Sequence, residues 1–226
     1  MYKMSKGKLI VLEGIDGSGK SVQFARLKSA IEAMGHTVEA REYPVYSSYF
    51  GSLVGEYLSG SGGVKADTVD GKSMALWFAL DRWEDLKDHR DGEYDYMLIN
   101  RYVLSNAVYQ SIIDAGRKDL VDWVFDLEYN HFGLPKADLF LFYDVATAQA
   151  GENVMKKGFR DYVGGEKKDV YESSGGIQQR ARAKYLETAE RRDDIAVIQC
   201  MGASGFRTID DIAAETLEVL KQRNFI

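Results

Sequence analysis

The sequence has little of several features that mark particular classes of protein. Its single cysteine, Cys200, excludes an intramolecular disulfide and a zinc cluster built on cysteines. No apolar run approaches the ~18 residues of a membrane-spanning helix, and the opening MYKMSKGK lacks the apolar core of a signal peptide. We therefore expect a protein of a reducing compartment, by default the cytoplasm, with no membrane partner.

Positive charge is also in short supply. The 226 residues include 29 Lys and Arg against 35 Asp and Glu, a formal net charge of −6. Because an acidic chain has no overall field that attracts nucleic-acid phosphates, we expect no nucleic-acid polymer as a partner. The content of 45% hydrophobic and 28% charged residues is typical of a globular protein. A chain of this length suits one α/β domain, with at most a small flap.

Short apolar segments alternate with helical patterns along the chain. The segments that predict strands are Lys8–Glu13, 37–43, 96–99, 139–143 and 195–200. Helical spacing occurs over 21–34, 67–89, 105–115, 119–131, 177–192 and 208–222, and Thr208 is a candidate cap for the last helix. The Gly/Ser-rich stretch 58–64 predicts a surface loop. This alternation implies a parallel sheet that helices cover on both faces.

One stretch, residues 151–176, interrupts the alternation. It is polar, contains several glycines and is dense in Lys and Arg. We therefore predict a single domain over residues 1–226 with a mobile lid at about 151–176.

One motif carries specific chemistry. It follows the first predicted strand, opens the first predicted helix and fits G-x-x-x-x-G-K-[ST]: Gly14-Ile15-Asp16-Gly17-Ser18-Gly19-Lys20-Ser21. The glycines let backbone N–H groups turn inward around a phosphate, and the helix adds its N-terminal dipole. Lys20 can reach the β- and γ-phosphates, while the Ser21 hydroxyl can hold Mg²⁺. The alternative is a chance match on a turn, and the strand–loop–helix context weighs against it.

The motif predicts a purine nucleoside triphosphate with Mg²⁺ as cofactor. The chain contains no N-K-x-D stretch of the kind that recognises guanine, so we prefer ATP to GTP. Together with the strand pattern, the motif predicts a three-layer P-loop NTPase fold of class α/β, with five parallel strands flanked by helices and a lid segment.

The distribution of cations favours a small kinase over a motor or switch ATPase. A kinase needs an acceptor pocket and cations that bridge donor and acceptor phosphates. Arg82 lies in an aromatic helix and Arg101 follows the third predicted strand. Further cations lie in the predicted lid: Lys156, Lys157, Arg160, Lys167 and Lys168. Taken singly, Arg82 could be a surface ion-pair partner and Phe78 a core residue. Their occurrence with the phosphate loop favours an acceptor site.

Several stretches resemble one kinase family and occur in that family's order. They are LEGIDGSGKSVQ at 12–23, Tyr43-Pro44, 78–82, NRYVLSNAVYQ at 100–110, GLPKADLFLFYD at 133–144, Tyr171-Glu172 and Arg180-Ala181-Arg182. On these residues the chain resembles the thymidylate kinase family, a group of nucleoside monophosphate kinases, over nearly its full length. The resemblance implies transfer of the ATP γ-phosphoryl group to dTMP, giving dTDP and ADP for dTTP synthesis. It also implies a homodimer.

The resemblance assigns residues to an ATP site and a metal site. The implied ATP-binding residues are Gly14, Ile15, Asp16, Gly17, Ser18, Gly19, Lys20, Ser21, Val22 and Arg182. Within this set Arg182 is expected near the adenine, and Val22 contributes its backbone N–H to the α-phosphate. Ser21 and Asn100 are the implied metal-site residues.

The resemblance also assigns an acceptor site for dTMP. Phe78 is expected to stack on the thymine ring, Arg82 to hydrogen-bond the base edge, and Arg101 to bind the acceptor monophosphate. Asp16 is expected beside the acceptor sugar, where it orients Arg101. The remaining implied dTMP-binding residues are Tyr43, Pro44, Asn106, Tyr109, Gln110 and Tyr171. Because a base methyl is distinguished by only ~1–3 kcal/mol of packing energy, a pyrimidine deoxynucleotide is a firmer prediction than thymine itself.

The implied catalytic residues include cations from two parts of the chain. Some family members carry an arginine inside the phosphate loop, but here that position is Gly17 or Ser18. The chain resembles the type in which the lid supplies the cation, for which we predict Arg160, with Lys157 second. The implied catalytic set is therefore Lys20, Arg101, Asp16, Arg160 and Lys157.

Three departures from the family pattern concern rate and acceptor choice. Asn100 replaces the usual Asp before Arg101, which predicts weaker metal binding unless another carboxylate, Glu13 or Asp16, compensates. Val22 replaces a usual Thr, and Tyr46 stands where an arginine often follows the Tyr-Pro pair. Two alternatives stay open on this basis: a kinase for another deoxynucleotide or nucleoside, and a P-loop ATP-binding regulator that has lost transfer.

Overall fold

The computed structural model describes residues 7–113, 119–157, 175–203 and 205–226. Five strands form one parallel sheet in the order β2-β3-β1-β4-β5. Their bounds are β1 Lys8–Glu13, β2 Val38–Glu42, β3 Tyr96–Asn100, β4 Leu139–Asp144 and β5 Ile195–Gln199. The sequence predicted each of these strands to within two residues at either end.

The sheet has its core at the three middle strands. β1 and β4 carry the sequences KLIVLE and LFLFYD, and nearly every side chain in them is buried. β3, with the sequence YMLIN, is buried throughout. Such continuous apolar runs are expected of parallel strands that helices cover on both faces. All the strands run the same way, so their carboxyl ends meet at one edge of the sheet.

That edge is polar. The five strands end in turn at Glu13, Glu42, Asn100, Asp144 and Gln199. In open α/β sheets, ligands bind in the crevice outside the carboxyl ends of the strands. The parallel sheet therefore brings five acidic or amide side chains, three from the middle strands and two from the edge strands, to the side where a ligand would lie.

Eight α-helices occur within the described ranges. They are α1 Lys20–Ala33, α2 Tyr49–Ser59, α3 Gly71–Leu86, α4 Val103–Ile113, α5 Val121–Asp126, α6 Thr147–Lys157, α7 Gly175–Arg191 and α8 Ile209–Gln222. The predicted cap of α8 is confirmed, because the Thr208 hydroxyl accepts from the Asp211 N–H at 3.1 Å. The predicted helix over 67–89 is shorter than expected, because Asp70 caps α3 by accepting from the Ser73 N–H.

Helices α2 and α6 and a small hairpin were not predicted, and the boundary of one predicted loop was wrong. Helix α2 contains Gly51 and Gly55, which lower helix propensity, and its last two residues lie in the stretch 58–64 that was predicted as loop. Packing explains Gly51: a Cβ there would overlap the carbonyl oxygen of Val45. A small antiparallel hairpin, β6 Met201–Gly202 with β7 Gly205–Phe206, was also missed.

The predicted helix over 119–131 has two parts. α5 ends at Asp126 and continues as a π-helix over Leu127–His131. A π-helix bonds i to i+5 and so turns its side chains relative to an α-helix. Glu128 is the buried residue of this π-helix.

The predicted lid over 151–176 begins and ends within helices, and it stays a prediction. Residues 151–157 are the C-terminal part of helix α6, and α7 begins at Gly175. The rest of the predicted lid lies outside the described residues. Among the residues that the structure does describe, no helix is both long enough and apolar enough to span a membrane.

Candidate functional site

The phosphate-loop motif lies between β1 and α1, as predicted. Gly17 has a φ of 80°, a left-handed conformation that glycine adopts without strain. A Cβ at this position would overlap the carbonyl oxygen of Ala150 in α6, and Asn153 Nδ2 donates to the Gly17 carbonyl at 2.9 Å. The loop is therefore packed against α6, and this contact gives a physical reason why position 17 carries no arginine.

The side chain of Lys20 lies inside the phosphate loop and bonds to its backbone. Its Nζ donates to the carbonyl oxygens of Gly14 at 2.8 Å and Ile15 at 2.9 Å, and the side chain is buried. Ser21, the next residue, is exposed at the start of α1. The Val22 N–H, predicted to meet a phosphate, donates to the Gly19 carbonyl at 3.1 Å in this structure.

A cavity of about 510 Å³ opens beside the loop at the carboxyl edge of the sheet. It brings together most of the predicted site residues: Asp16, Gly17, Ser18, Gly19, Lys20, Ser21, Tyr43, Pro44, Phe78, Arg82, Asn100, Arg101, Asn106, Tyr109 and Gln110. Its lining also includes four residues that the sequence analysis did not assign: Glu42, Tyr46, Leu58 and Ser105. The predicted residues Gly14, Ile15, Val22 and Arg182 do not line it.

Arg101 lies where the loop meets this cavity. Its guanidinium forms an ion pair with Asp16 and lies 5.7 Å from the ring centre of Tyr109. Its backbone has a φ of 65°, which is uncommon for a residue other than glycine and typical of strained functional positions. The predicted contact between Asp16 and Arg101 is therefore present. Their catalytic roles stay predictions.

Gln178 of α7 is a residue that the sequence analysis missed. Its Oε1 accepts from the Asp16 N–H and from the Tyr109 hydroxyl, each at 3.2 Å, and its Nε2 donates to Asp16 Oδ2 at 2.9 Å. The amide thus joins the phosphate loop to α4 and α7. No motif in the sequence marks it, because the partners lie 162 and 69 residues away.

Glu13, at the end of β1, is completely buried and holds the start of α4. Its carboxylate accepts from the N–H groups of Tyr102 at 2.9 Å and Ser105 at 3.2 Å, and from the Tyr185 hydroxyl at 3.0 Å. Burial raises the pKa of Glu13, although these hydrogen bonds oppose the shift. Because its oxygens are occupied within the protein, the expectation that Glu13 compensates for Asn100 at a metal is not supported.

Arg82 is buried against an unexpected partner, Glu128 of the π-helix. Its Nε and Nη2 donate to the two oxygens of Glu128, both at 2.6 Å, and Asn106 Nδ2 donates to Glu128 Oε1 at 2.8 Å. Burial alone lowers the pKa of Arg82, but the Glu128 carboxylate outweighs it and raises that pKa. The pair fixes the guanidinium at the cavity wall, and Nη1 makes no hydrogen bond within the described part of the chain.

Two amides on α4 have unused hydrogen-bonding groups. Both the Oε1 and Nε2 atoms of Gln110 are buried without a partner among the described residues, and so is Oδ1 of Asn106. Buried polar atoms in folded proteins are normally hydrogen-bonded. Phe78, a partly buried aromatic, lines the same cavity. An aromatic face with a few polar groups suits a small planar ligand such as a nucleobase.

Arg182 of α7 lies on the other side of the loop. Its Nε and Nη2 donate to Asp144, at the end of β4, at 2.6 and 2.9 Å. Phe206 of the small hairpin lies close to Gly19, since a Cβ there would be 3.8 Å from the Phe206 ring. Three predicted site residues are not described at the level of the side chain: Lys157, the last residue of α6, and Arg160 and Tyr171, which lie outside the described residues.

These features together define a class of protein. The chain begins its five-stranded parallel sheet with a strand that a glycine-rich phosphate loop and a helix follow. A cavity with buried polar groups adjoins the loop. This is the P-loop NTPase fold, with a cavity beside the phosphate loop.

Comparison with known proteins identifies the family. The family model for thymidylate kinase matches residues 12–201, so the chain belongs to the thymidylate kinase family. The thymidylate kinase of Mycobacterium tuberculosis is 34% identical over 186 residues, which are 80% of this chain and 85% of the relative. That of Homo sapiens is 33% identical over 178 residues, which are 78% of this chain and 74% of the relative.

A solved structure agrees on the fold. The structure of thymidylate kinase from Candida albicans superposes with a TM-score of 0.71 at 23% identity, and the match covers 97% of this chain and 93% of that one. At this identity the likeness concerns the fold, and it confirms the α/β P-loop architecture predicted from the sequence.

Proposed function

We propose that the protein transfers the γ-phosphoryl group of ATP to dTMP and releases dTDP and ADP. One observation carries the proposal beyond family membership. One cavity is lined by Lys20 of the phosphate loop, by Arg101 and by Gln110, whose amide has no hydrogen-bond partner among the described residues. A single space can therefore hold a triphosphate end and a second nucleotide, as direct transfer requires.

The donor half of the site consists of residues 14–21 with Arg182. The loop N–H groups and the N-terminal dipole of α1 would hold the ATP phosphates, and Lys20 would exchange its loop carbonyls for phosphate oxygens. Ser21 and Asn100 would hold Mg²⁺ with the nucleotide. The buried Asn100 Oδ1, which has no partner among the described residues, fits a water bound to such an ion. When bound, the metal neutralises phosphate charge.

The acceptor half consists of Phe78, Arg82, Arg101 and the α4 side chains Asn106, Tyr109 and Gln110. Phe78 would stack on the base, and Arg82 would present Nη1 to a carbonyl on the base edge. The amide donor and acceptor of Gln110, which no described residue satisfies, match the paired groups of a pyrimidine edge. Tyr43, Pro44 and Tyr171 complete the acceptor set that the sequence predicts.

Transfer needs no covalent intermediate on a side chain. Arg101, held by Asp16, would bind the acceptor phosphate and keep its attacking oxygen in line with the γ-phosphorus. Lys20 and Arg101 would stabilise the charge that spreads over the equatorial oxygens, together with a lid cation, Arg160 or Lys157. Catalysis on this scheme is positioning and charge stabilisation.

An acceptor panel tests the function. Purified protein with MgATP is offered dTMP, dUMP, dCMP or dGMP, and ADP release is followed in a coupled assay. The proposal expects the highest kcat/KM with dTMP. The absence of ADP above background with every acceptor would contradict a kinase, and preference for another acceptor would move the assignment to that nucleotide.

A variant tests the position of the acceptor site. Arg101→Ala should lower kcat about 10²–10³-fold, the range for loss of one charge-stabilising donor. Its affinity for a non-hydrolysable ATP analogue should stay within about twofold. Turnover near the wild-type rate would show that the acceptor phosphate binds elsewhere.

We also propose a homodimer in the cytoplasm. Helices α2 and α3 expose three large apolar side chains: Tyr49 at 69%, Leu76 at 41% and Trp83 at 37%. If these side chains form one contiguous apolar patch, that patch is where a second copy would pack. Light scattering after size-exclusion chromatography should give twice the chain mass, and Leu76→Glu should shift the protein toward a monomer.

A further inference from the structure

Asn100 has an acidic neighbour that the sequence analysis did not connect with it. Strands β2 and β3 pair in parallel, and their register sets Glu42 opposite Asn100. Asn100 also pairs with Leu12, just before the phosphate loop. Strand β3 therefore lies between β2 and β1, and β1 leads into the phosphate loop. A side chain of Glu42 can reach the space in front of Asn100.

The two side chains are joined. Asn100 Nδ2 donates to Glu42 Oε1 at 2.7 Å, which fixes the orientation of the amide. The other amide atom, Oδ1, is buried and has no partner among the described residues. Glu42 is exposed and lines the cavity that also contains Lys20 and Ser21. One carboxylate and one amide oxygen thus occur together beside the phosphate loop.

The neighbouring carboxylates are engaged within the protein. Glu13 is fully buried among donors from α4 and α7, and Asp144 binds the guanidinium of Arg182 at both oxygens. Asp16 binds Arg101 and Gln178. Glu42 differs, because within the described ranges only its Oε1 has a hydrogen bond and Oε2 is left for another partner.

We propose that Glu42 supplies the negative charge that binds the Mg²⁺ of MgATP, acting through a metal-bound water, and that Asn100 orients it. The inference rests on the proposed function, since it assumes that MgATP binds at the loop. Mg²⁺ keeps several waters and needs only one or two carboxylates besides the phosphates. The negative charge that an Asp at position 100 would place at the end of β3 is then supplied by Glu42 at the end of β2, the neighbouring strand.

Metal affinity tests the proposal without relying on turnover. Mn²⁺, which takes similar oxygen ligands, is titrated into the protein saturated with a non-hydrolysable ATP analogue, and free Mn²⁺ is measured by electron paramagnetic resonance. Glu42→Gln keeps the length of the side chain and an oxygen for Asn100 Nδ2. It should weaken Mn²⁺ binding about 10- to 100-fold, the range for loss of an outer-shell partner.

A control and a rescue separate charge at this site from charge in general. Glu39→Gln removes a carboxylate from the same strand, where Glu39 pairs with Arg41, and should leave Mn²⁺ affinity within about twofold. Asn100→Asp in the Glu42→Gln background returns a carboxylate to the site and should restore most of the affinity. Thermal unfolding of each variant verifies that the fold is kept.

The outcomes discriminate between the two proposals. Equal Mn²⁺ affinity in the wild type and Glu42→Gln, with the analogue bound in both, would overturn the role of Glu42 and leave the kinase proposal intact. Failure of the wild type to bind the analogue would overturn both. Loss of affinity in Glu42→Gln without rescue by Asn100→Asp would overturn the charge argument.

Discussion

The proposed donor and acceptor halves of the site are built in different ways. The donor loop is one continuous stretch, residues 14–21, and Lys20 bonds to carbonyls only 5 and 6 residues away. The acceptor side is assembled from distant segments, since Arg82 meets Glu128 across 46 residues and Arg101 meets Asp16 across 85. Backbone conformation therefore determines the donor half, whereas packing between elements determines the acceptor half.

The two halves also differ in how they hold an arginine. Arg82 and Glu128 are buried at 2% and 0% exposure, while Arg182, paired with Asp144, keeps 35% of its side chain exposed. A buried charge without its partner is costly, whereas water can solvate an exposed one. The acceptor half should therefore be much more sensitive than the donor half to the loss of a single carboxylate.

Removal of Glu128 should have the largest effect. Glu128→Ala leaves the Arg82 charge buried without its partner and should lower the free energy of unfolding by about 3–5 kcal/mol, measured by urea denaturation. The double variant Arg82→Met with Glu128→Leu removes both charges and should recover most of that loss, while dTMP binding stays weak. A loss below about 1 kcal/mol in Glu128→Ala would contradict a buried ion pair.

A methyl group at Gly17 should have the next largest effect, this time in the donor half. Gly17→Ala brings a Cβ against the Ala150 carbonyl at a positive φ, and strain of this kind costs about 1–3 kcal/mol. The strained loop should also bind an ATP analogue more weakly than the wild type does, as measured by calorimetry. Gly151→Ala is the matched control in α6: nothing lies within 4 Å of its Cβ, so it should be neutral or slightly stabilising. Similar behaviour of the two variants would refute the loop–helix contact.

A smaller effect concerns pH and Asp81, which is buried beside Arg82. Asp81 accepts from the Val45 N–H at 3.2 Å and from the Ser48 hydroxyl at 3.3 Å. Burial raises the pKa of Asp81 from 3.8 to about 6, against these hydrogen bonds and the charge of Arg82, which lower it. A raised carboxyl pKa favours the folded state at low pH, and this contribution is lost as the pH rises from 3.8 through 6.

The measurement compares the wild type with Asp81→Asn. Relative to this variant, the wild type should gain about 1.4 kcal/mol of unfolding free energy between pH 8 and pH 5. Denaturation curves at both pH values give the difference, in which the titration of other groups cancels. A constant difference between the two proteins across this range would show that Asp81 titrates normally.

Removal of Asp144 should have the smallest effect on stability. Asp144→Ala leaves Arg182 partly exposed, so water compensates and the loss should be about 1 kcal/mol or less. The KM for ATP should rise because the guanidinium is no longer held. A stability loss as large as that of Glu128→Ala would remove the distinction between the two halves.

Much of the fold follows from local pattern. The strands were predicted because runs such as LFLFYD are apolar, have the length of a buried strand and are too short for a typical helix. Helix α2 was missed because its glycines are required by packing against Val45, which no local propensity records. Helix α6 was missed because its polar residues after Gly151 were assigned to the predicted lid, whereas they lie on a helix that packs against the phosphate loop at Gly17.

The candidate site also contains residues that local sequence predicted and residues that only tertiary packing brings together. The phosphate loop was complete in the sequence, Arg82 and Arg101 were predicted as acceptor-site cations beside it, and Gln110 was found through the family resemblance. Glu128 and Gln178 were missed because each acts through a partner far along the chain. Glu42 lies next to Tyr43 in the printed sequence, but its relation to Asn100 depends on strand register.

The sequence by itself determined the donor loop, the parallel α/β fold and the family, because these depend on residue spacing and on apolar periodicity within short segments. Only the tertiary structure decided which charges meet. Sheet register brings Glu42 to Asn100, and the packing of the π-helix against α3 brings Glu128 to Arg82. Charge pairing depends on distances between separate elements, and no local pattern in the chain specifies those distances.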